Sequence, residues 1–417
     1  MFKRFTKLEK AWIYYDVGNS AFTMMVSTII PLWFNTLSAN AGISSTDYFA
    51  YWSYATSVAT VLVAFIGPIG GTIADNKGFK KPIFTFSLLL GVFCCVMLGV
   101  ASNWLLYLII YIIGKTAYSS SLVFYDAMIN DVTTPERVDD VSSQGYAWGY
   151  LGSCIPFICA LVLYLLGDMG YIPMRAAIFG AFFVTAAWWL FVTIPLLKQY
   201  EQKYYVEAEP GKAIKESFAR LGETLKGMVK KEKKVFLFLL AFFFYIDGVY
   251  TIIDEAVAIG KTLGLDTVGL LIILLATQVV AFVFANIFGR LSQKHDVIDL
   301  ITVCILGYMF VAIFALFLDS LVKFGIMAFI VGMFQGAIQA LSRSYFAKII
   351  PAEKSGEYFG IYDICGKGAA FMGTTLMGVT TQITKNVKFG VASMGVLFIL
   401  GLICLRKSNK LPDPKRD

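Results

Sequence analysis

The sequence predicts an all-α integral membrane protein with twelve transmembrane helices in two pseudo-symmetric six-helix bundles. Of its 417 residues, 58% are hydrophobic and only 15% are charged, whereas a soluble domain has about half apolar and about a quarter charged residues. The apolar residues form long runs, and one long polar segment divides these runs six and six. The composition therefore excludes a soluble enzyme, a disordered chain and a secreted disulfide scaffold.

Twelve apolar runs predict the spanning helices. A helix that crosses the hydrocarbon core of a bilayer needs about 20 predominantly apolar residues. The runs are continuous, as in helices, rather than alternating in polarity as in strands. They cover approximately 12–37, 51–74, 82–101, 104–128, 145–167, 172–196, 235–260, 267–289, 297–318, 324–345, 357–382 and 387–405.

The distribution of Lys and Arg predicts the orientation. If the N-terminus is cytoplasmic, the inside segments hold 28 of the 35 basic residues and the outside segments hold five. Cytoplasmic loops are enriched in Lys and Arg, so we expect a multi-pass protein of the cell (plasma) membrane with both termini in the cytoplasm. This topology accounts for the net charge of +7, and no nucleic-acid partner is expected.

A polar segment at 197–234 is predicted to be a cytoplasmic linker between an N-terminal bundle, 1–196, and a C-terminal bundle, 235–417. Within 211–228, apolar residues recur at steps of three and four, which is typical of an amphipathic helix on the inner membrane surface. These residues are Ile214, Phe218, Leu221 and Leu225.

Short internal similarities support two related halves. Span one contains YYDVG at 14–18, and span seven contains FYIDG at 244–248, so both combine two aromatic residues with an acid and a glycine. Spans five and eleven share aromatic and glycine residues at 145–150 and 358–362. Matches of this length also arise by chance in so biased a chain, so they give weak support.

The segment GPIGGTIADNKGFKK at 67–81 lies between spans two and three. It resembles the loop signature of the major facilitator superfamily, which has a glycine, then Ala-Asp, then a basic cluster. Small residues let helices approach closely, and an acid can pair with bases and cap a helix. The resemblance implies a cytoplasmic gate that contains Gly71, Asp75, Lys80 and Lys81.

Three further stretches resemble the vacuole-effluxer-like family of that superfamily, which is related to an autophagy-linked amino-acid exporter of yeast. They are AWIYYDVGNSAF at 11–22, QALSRS at 339–344, and EYFGIY at 357–362 followed by Gly366 and Lys367. The resemblance implies the major facilitator fold, with amino acids as substrates and export from the cytoplasm as the direction.

Charged residues inside the predicted spans are the strongest functional signal, because an unpaired charge in a bilayer costs roughly 2.5–3.5 kcal/mol or more. Asp16, Asp126 and Asp247 are the candidates for coupling to protons or another ion. For two of these aspartates, a purely structural ion pair is an alternative to a coupling role. Asp16 could pair with Lys10 near the cytoplasmic edge, and Asp126 could form a gate ion pair with Arg343.

Lys115 and Asp363 complete the gating candidates, although a lysine can also extend its head group to the membrane interface. Lys367 is the preferred anchor for an anionic group of the substrate. Polar and aromatic side chains on the same helices are predicted to complete a substrate site. These are Asn19, Tyr15, Trp148, Tyr245, Gln335, Gln339 and Tyr362.

The function predicted is secondary active transport, by alternating access, of a small solute such as an amino acid, with proton coupling as a hypothesis. A lipid or amphipathic-metabolite exporter and a transporter-shaped receptor without flux stay open as alternatives. No HExxH motif and no phosphate-cradling loop occurs, so an enzyme is not expected. We expect no cofactor and no metal. The expected partners are the solute, the bilayer and possible coupling protons, and the chain is expected to be a monomer.

Overall fold

Helices make up nearly all of the described structure. A computed structural model describes residues 4–207 and 213–412, and a few side chains inside helices, that of Lys367 included, also lie outside the described part. The helices of the first half are Lys7–Ser27 (α1), Ile29–Asn40 (α2), Ser45–Ala74 (α3), Lys80–Val100 (α4), Trp104–Ala127 (α5), Ile129–Val132 (α6), Val138–Asp168 (α7) and Met174–Gln199 (α8). Those that follow are Ala213–Lys230 (α9), Lys233–Asp254 (α10), Ala256–Thr262 (α11), Thr267–Leu291 (α12), Val297–Phe314 (α13), Leu321–Ile349 (α14), Ser355–Thr384 (α15) and Val387–Asn409 (α16).

Eleven helical segments among the described residues are long and apolar enough to cross a membrane. The predicted span that is not among these eleven is the eleventh, 357–382, which corresponds to α15; this helix has 30 residues and carries Asp363 and Lys367 in its interior. Several spans are longer than predicted. For example, α7 starts at Val138 rather than near residue 145, because Asp139 and Asp140 lie in its first turn, where acidic side chains stabilise a helix.

The predicted first span consists of two helices. A capping box starts α1: Thr6 accepts from the Glu9 N–H, and Glu9 accepts from the Thr6 N–H. The helix ends before Thr28, because Pro31 has no N–H to donate to the carbonyl of Ser27. The predicted seventh span is likewise divided, into α10 and α11.

The contacts between helices show two bundles with matching internal packing. In the first bundle α1 packs on α7 and α8, and α4 packs on α5 and α8. Their counterparts do the same in the second bundle, where α10 packs on α15 and α16, and α13 packs on α14 and α16. Contacts between the bundles follow the same correspondence, with α3 on α15 and α12 on α7. This is the pattern of a two-fold pseudo-symmetry.

An equivalent hydrogen bond lies inside each bundle. Tyr15 Oη and Ser121 Oγ are 2.6 Å apart between α1 and α5, and Tyr245 Oη and Ser342 Oγ are 2.6 Å apart between α10 and α14. All four residues are buried. The two tyrosines are the ones that the internal sequence similarity aligns, so the repeat extends to individual side-chain contacts.

The predicted amphipathic linker helix is present as α9. The proposed division of the chain into 1–196, 197–234 and 235–417 stays a prediction. Helices α8 and α10 overlap the two ends of that linker, since α8 ends at Gln199 and α10 begins at Lys233.

Glycines allow α3 and α15 to touch through their backbones. A Cβ atom built on Gly360 would lie 2.6 Å from the carbonyl oxygen of Gly67, and one built on Gly71 would overlap the carbonyl oxygen of Gly356. Small residues at a membrane helix interface permit such close approach. The contact between the two bundles on this side therefore depends on the absence of side chains.

The variant Gly360→Ala should lower the midpoint of thermal unfolding in detergent, because overpacking typically costs about 1–3 kcal/mol. Gly378 is a matched control in the same helix, where an added Cβ meets no described atom within 4 Å. Gly378→Ala should keep or raise the midpoint, since alanine favours a helix over glycine by about 1 kcal/mol. Equal midpoints for the two variants would contradict the close packing.

Candidate functional site

A buried arginine joins the two bundles near the end of the molecule where α1 begins and α16 ends, which we call the termini side. Arg343 of α14 is 1% exposed. Its Nη1 lies 3.0 Å from Asp126 Oδ1 and its Nη2 lies 3.2 Å from Asp16 Oδ2. Both aspartates belong to the first bundle. The expected pairing of Asp126 with Arg343 is thus present, and Asp16 shares the same arginine.

Ser142 of α7 completes the contacts of this arginine. Arg343 donates from Nε to Ser142 Oγ at 2.9 Å and from Nη2 to the Ser142 carbonyl at 3.0 Å. Ser142 Oγ in turn donates to the carbonyl of Ala340 at 2.8 Å. The guanidinium also lies over the rings of Trp12 and Tyr146, with 4.6 and 4.3 Å to their centroids, where cation–π attraction is favourable. Arg343, Asp16, Asp126 and Ser142 are called the Arg343 cluster below.

The loop between α3 and α4 makes a second connection between the bundles. The two carboxylate oxygens of Asp75 accept the backbone N–H groups of Gly356 and Glu357, each at 2.8 Å. These are orphan donors at the first turn of α15, so Asp75 caps a helix of the opposite bundle. The loop signature therefore acts as an N-cap across the interface.

Lys80 and Asp131 support this cap. The Lys80 ammonium is fully buried, lies 3.5 Å from both Asp75 and Asp131, and donates to Ser355 Oγ at 2.8 Å. Asp131 also accepts the hydroxyl of Tyr200 at 2.6 Å. Burial and the adjacent Asp131 carboxylate raise the pKa of Tyr200, so the hydroxyl stays protonated as the donor.

Further polar contacts between the bundles lie on the termini side. Lys348 of α14 pairs with Asp139 of α7, and Gln144 of α7 donates to Asn286 of α12 at 2.7 Å. Lys81, a predicted gating residue, is half-buried at the first turn of α4, and no ion pair of the described residues includes it. Polar contacts between the bundles thus occur at several depths in the half of the molecule nearest the termini side.

Three further charged side chains lie at different depths: Asp363 in the termini half of α15, Lys115 at the middle of α5, and Asp254 at the far end of α10. Lys115 of α5 and Asp363 of α15 are half-buried, and Asp254 at the end of α10 is exposed. Charged side chains of both signs on α5, α10 and α15 are therefore incompletely buried in this conformation.

Four predicted substrate-site residues lie at or near the bundle interface. Gln339 Nε2 donates to Tyr150 Oη of the other bundle at 3.2 Å, and Gln335 is buried one turn away on α14. Trp148 contacts Phe282 of α12 edge-on. Asn19 is buried and donates to Asp16 Oδ1 at 3.3 Å, so it contacts the Arg343 cluster directly.

Three predicted substrate-site aromatics lie inside the bundles. Tyr15 and Tyr245 are fully buried and use their hydroxyls in the paired hydrogen bonds with serine. Tyr362 stacks on Phe242 and Phe346, with ring centroids 4.0 and 4.8 Å apart. In this conformation the described contacts of all three join helices of the same bundle. The side chain of Lys367 lies outside the described residues.

Asp247 is likewise buried within the second bundle. Its Oδ1 accepts from Thr251 at 3.4 Å, and its Oδ2 has no hydrogen-bond partner among the described residues. Gly373 of α15 leaves room for the carboxylate, since a Cβ there would lie 2.6 Å from Oδ1. This acid therefore does not face the space between the bundles.

The sequence did not point to Ser142 or Asp131. Both are polar residues near predicted loop ends, where a solvated side chain is the ordinary expectation. A detectable signal for Asp131 was its place in the loop that follows span four, on the same side as the loop that contains Asp75.

A family model described as vacuole effluxer Atg22 like matches residues 6–136 and 130–410. The chain belongs to this family. It is 43% identical, over 97% of its own length and 95% of the relative, to an uncharacterized MFS-type transporter, YxiO, of Bacillus subtilis (strain 168). It is 22% identical, over 94% of its length and 91% of the relative, to autophagy-related protein 22 of Kluyveromyces lactis.

A solved structure of similar fold is that of FucP, a major facilitator superfamily transporter in the outward conformation. The TM-score is 0.71 at 15% identity, covering 96% of this chain and 97% of that one. The comparison confirms the predicted major facilitator fold. The Atg22-like protein is thus a multi-pass membrane transporter of this superfamily and not an enzyme.

In this Atg22-like transporter, Arg343→Ala should lower the thermal unfolding midpoint strongly, because the buried Asp16 and the half-buried Asp126 lose their cation, and breaking a fully buried pair typically costs about 3–5 kcal/mol. The triple variant Arg343→Ala/Asp16→Asn/Asp126→Asn should recover much of that loss. Arg406 pairs with Asp299 at the surface, so Arg406→Ala is the control and should cost less than about 1 kcal/mol. A triple variant as unstable as Arg343→Ala would show that the carboxylates are not the cause.

Proposed function

We propose that this protein is a secondary active transporter that exports a small polar solute, an amino acid or a related metabolite, by alternating access. The observation that carries the proposal is the Arg343 cluster, in which a buried cation of one bundle is neutralised by carboxylates of the other. The pairing exists only while the bundles meet on the termini side. Separation of the bundles would hydrate all three charges, so the cluster distinguishes two conformations.

The proposed orientation places the termini side in the cytoplasm of a plasma-membrane protein that acts as a monomer. The excess of Lys and Arg in the segments on that side supports this orientation. The structure then corresponds to an outward-facing state with the cytoplasmic gate closed. Gly71, Asp75, Lys80, Lys81 and Arg343 are the proposed gate residues.

The energetics of the gate suit alternating access. A buried ion pair gains little net free energy over its hydrated components, because desolvation offsets most of the attraction. The closed gate therefore need not be much more stable than the open one, and two states within a few kcal/mol can exchange. One rocking motion would separate Asp75 from α15 and Arg343 from its carboxylates together, since each contact joins opposite bundles.

The substrate proposal rests on charges of both signs that are incompletely buried in α5 and α15. Lys115 would attract a carboxylate, and Asp363 would attract an ammonium group, as a zwitterion requires. Lys367 is kept as a second proposed anchor for the carboxylate on the ground of the sequence alone. Side chains with neutral hydrogen-bonding or aromatic groups would complete the site. These are Asn19, Trp148, Gln335 and Gln339. We assign Tyr15, Tyr245 and Tyr362 to helix packing instead, because each is buried within a bundle.

Coupling to protons is proposed for Asp126, with Asp16 and Asp247 as further candidates. The Asp126 side chain is 18% exposed, whereas that of Asp16 is 8% exposed, so a proton from solvent would reach Asp126 more readily. A proton on Asp126 would remove one of the two negative charges that hold Arg343. Arrival of a proton would thereby loosen the closed gate.

Transport by purified protein in liposomes tests the proposal. Counterflow of a radiolabelled amino-acid mixture should exceed that of protein-free liposomes and should fall to that background in Arg343→Ala, with Arg406→Ala as the active control. An imposed pH gradient should change the wild-type rate, and Asp126→Asn should remove that change. Absence of any solute flux from folded protein would favour a receptor, and flux of lysolipid alone would favour a lipid exporter. A rate insensitive to the pH gradient and to Asp126→Asn would rule out the proposed coupling.

A further inference from the structure

The linker helix α9 contacts both bundles at the closed gate. Arg220 donates to the carbonyl of Thr72 in α3 and, from Nε at 3.4 Å, to the carboxylate of Glu357 in α15. Ser217 accepts from Asn76 Nδ2 at 3.0 Å, and Thr224 lies beside Glu357. One helix therefore spans the junction of α3 and α15, beside the residues that Asp75 caps.

The beginning of the linker is attached to the first bundle. The backbone N–H groups of Lys203 and Tyr204 donate to Asp131 at 3.0 and 2.9 Å, and Val206 donates to the Asp75 carbonyl at 2.8 Å. If α15 moved away from α3, α9 could not keep its hydrogen bonds with both, so either that with Glu357 or those with Thr72 and Asn76 would break. These contacts together are thus specific to the closed gate.

A second face of α9 is apolar and exposed. Phe218, Leu225 and Val229 are 52%, 47% and 52% exposed. Their spacing of seven and four residues places them on one stripe, because a helix turns about 100° per residue. The face toward the protein carries Ser217, Thr224 and Met228 and lies about a quarter turn away from the stripe.

Basic side chains flank the apolar stripe on its solvent side. Lys226 and Lys230 of α9 and Lys231 directly after it are exposed, beside one exposed acid, Glu223, so the basic residues outnumber the acid. The helix also lies at the ends of two membrane-spanning helices, α3 and α15, and hence at the level of the membrane surface. An apolar stripe with a basic flank at this level matches the interface of a bilayer that contains anionic lipids, where each basic residue contributes about 1 kcal/mol.

We propose that α9 is a lipid-dependent latch, which inserts Phe218, Leu225 and Val229 into an anionic membrane interface and holds the gate closed through Arg220 and Glu357. The latch rests on the proposed function insofar as it needs a gate that opens. Anionic lipid orders α9 at the membrane surface and thereby favours the closed gate. Loss of that lipid releases the helix.

The contact with the bilayer is tested by spin labels in nanodiscs that contain phosphatidylglycerol. Leu225→Cys reports on the apolar stripe, and Glu223→Cys is the matched control on the solvent face. Both are made in a Cys159→Ala background, since the other six cysteines are buried or half-buried. The label at 225 should collide with oxygen and be protected from a water-soluble nickel complex, and the label at 223 should show the reverse. A label at 225 that is accessible to the nickel complex would overturn bilayer binding. So would a label shielded from both reagents, because that result would indicate a protein partner or a second copy.

The latch itself is tested by the distance between labels at Lys77→Cys and Glu353→Cys, two exposed positions on opposite sides of the gate. The closed distance should be more populated in anionic than in neutral nanodiscs. Arg220→Gln should raise the ratio of open to closed protein by about tenfold or more, as expected for loss of a charge-assisted hydrogen bond. The variant Phe218→Ser/Leu225→Ser/Val229→Ser should lose the lipid dependence, and Glu223→Gln should keep it.

If the closed population changed neither with lipid charge nor in Arg220→Gln, the latch would be overturned. If the gate nevertheless opened, the proposed function would remain intact. A single distance under all conditions would overturn the latch and alternating access together. The accessibility of position 225 would still decide whether α9 binds the bilayer, so the two failures are distinguishable.

Discussion

A guanidinium ion that leaves water needs anions and hydrogen-bond acceptors at fixed positions around it. Because Arg343 lies at the interface, both bundles must be in place to satisfy it. Its cation belongs to α14, but its carboxylates and its serine belong to α1, α5 and α7. Gly145 provides the space, since a Cβ there would overlap Asp16 and lie 3.0 Å from Arg343 Nη2. One side chain thus constrains the relative positions of four helices. The glycine contacts and the Asp75 cap belong to the same closed conformation.

The two bundles share the same helix packing, but the two equivalent interfaces between them use different side chains. Equivalent tyrosine–serine hydrogen bonds hold each bundle together, and the bundles meet along equivalent helix pairs, α3 with α15 and α12 with α7. The first interface uses backbone contact between glycines and a carboxylate cap. The second uses side-chain amides, as in the contact of Gln144 with Asn286. The pseudo-symmetry therefore determines which helices meet, and individual residues determine how strongly α3 binds α15 and α12 binds α7.

Much of the fold was predictable because membrane burial demands long apolar runs, which composition alone reveals. The partnership of Asp126 with Arg343 was also predictable, since an acid and a base lay at the equivalent ends of two pathway helices. The orientation of aromatic residues was not: Tyr15 points into its bundle, and neither periodicity nor composition distinguishes that from a position facing the space between the bundles. Ser142 and Asp131 escaped prediction because their roles depend on partners far away in sequence, brought close only by the packing of the helices.

The Arg343 cluster contains one cation and two carboxylates, so it carries an excess negative charge when both acids are ionised. The cluster lies within membrane-spanning helices, where the transmembrane potential acts on any charge that moves. That potential contributes about 2.3 kcal/mol per elementary charge moved across a full 100 mV. Any movement of this excess charge along the membrane normal during closure would therefore have an electrical component, which a proton on either aspartate would remove. The two carboxylates that pair with Arg343 would thus contribute to the voltage dependence of the conformational change.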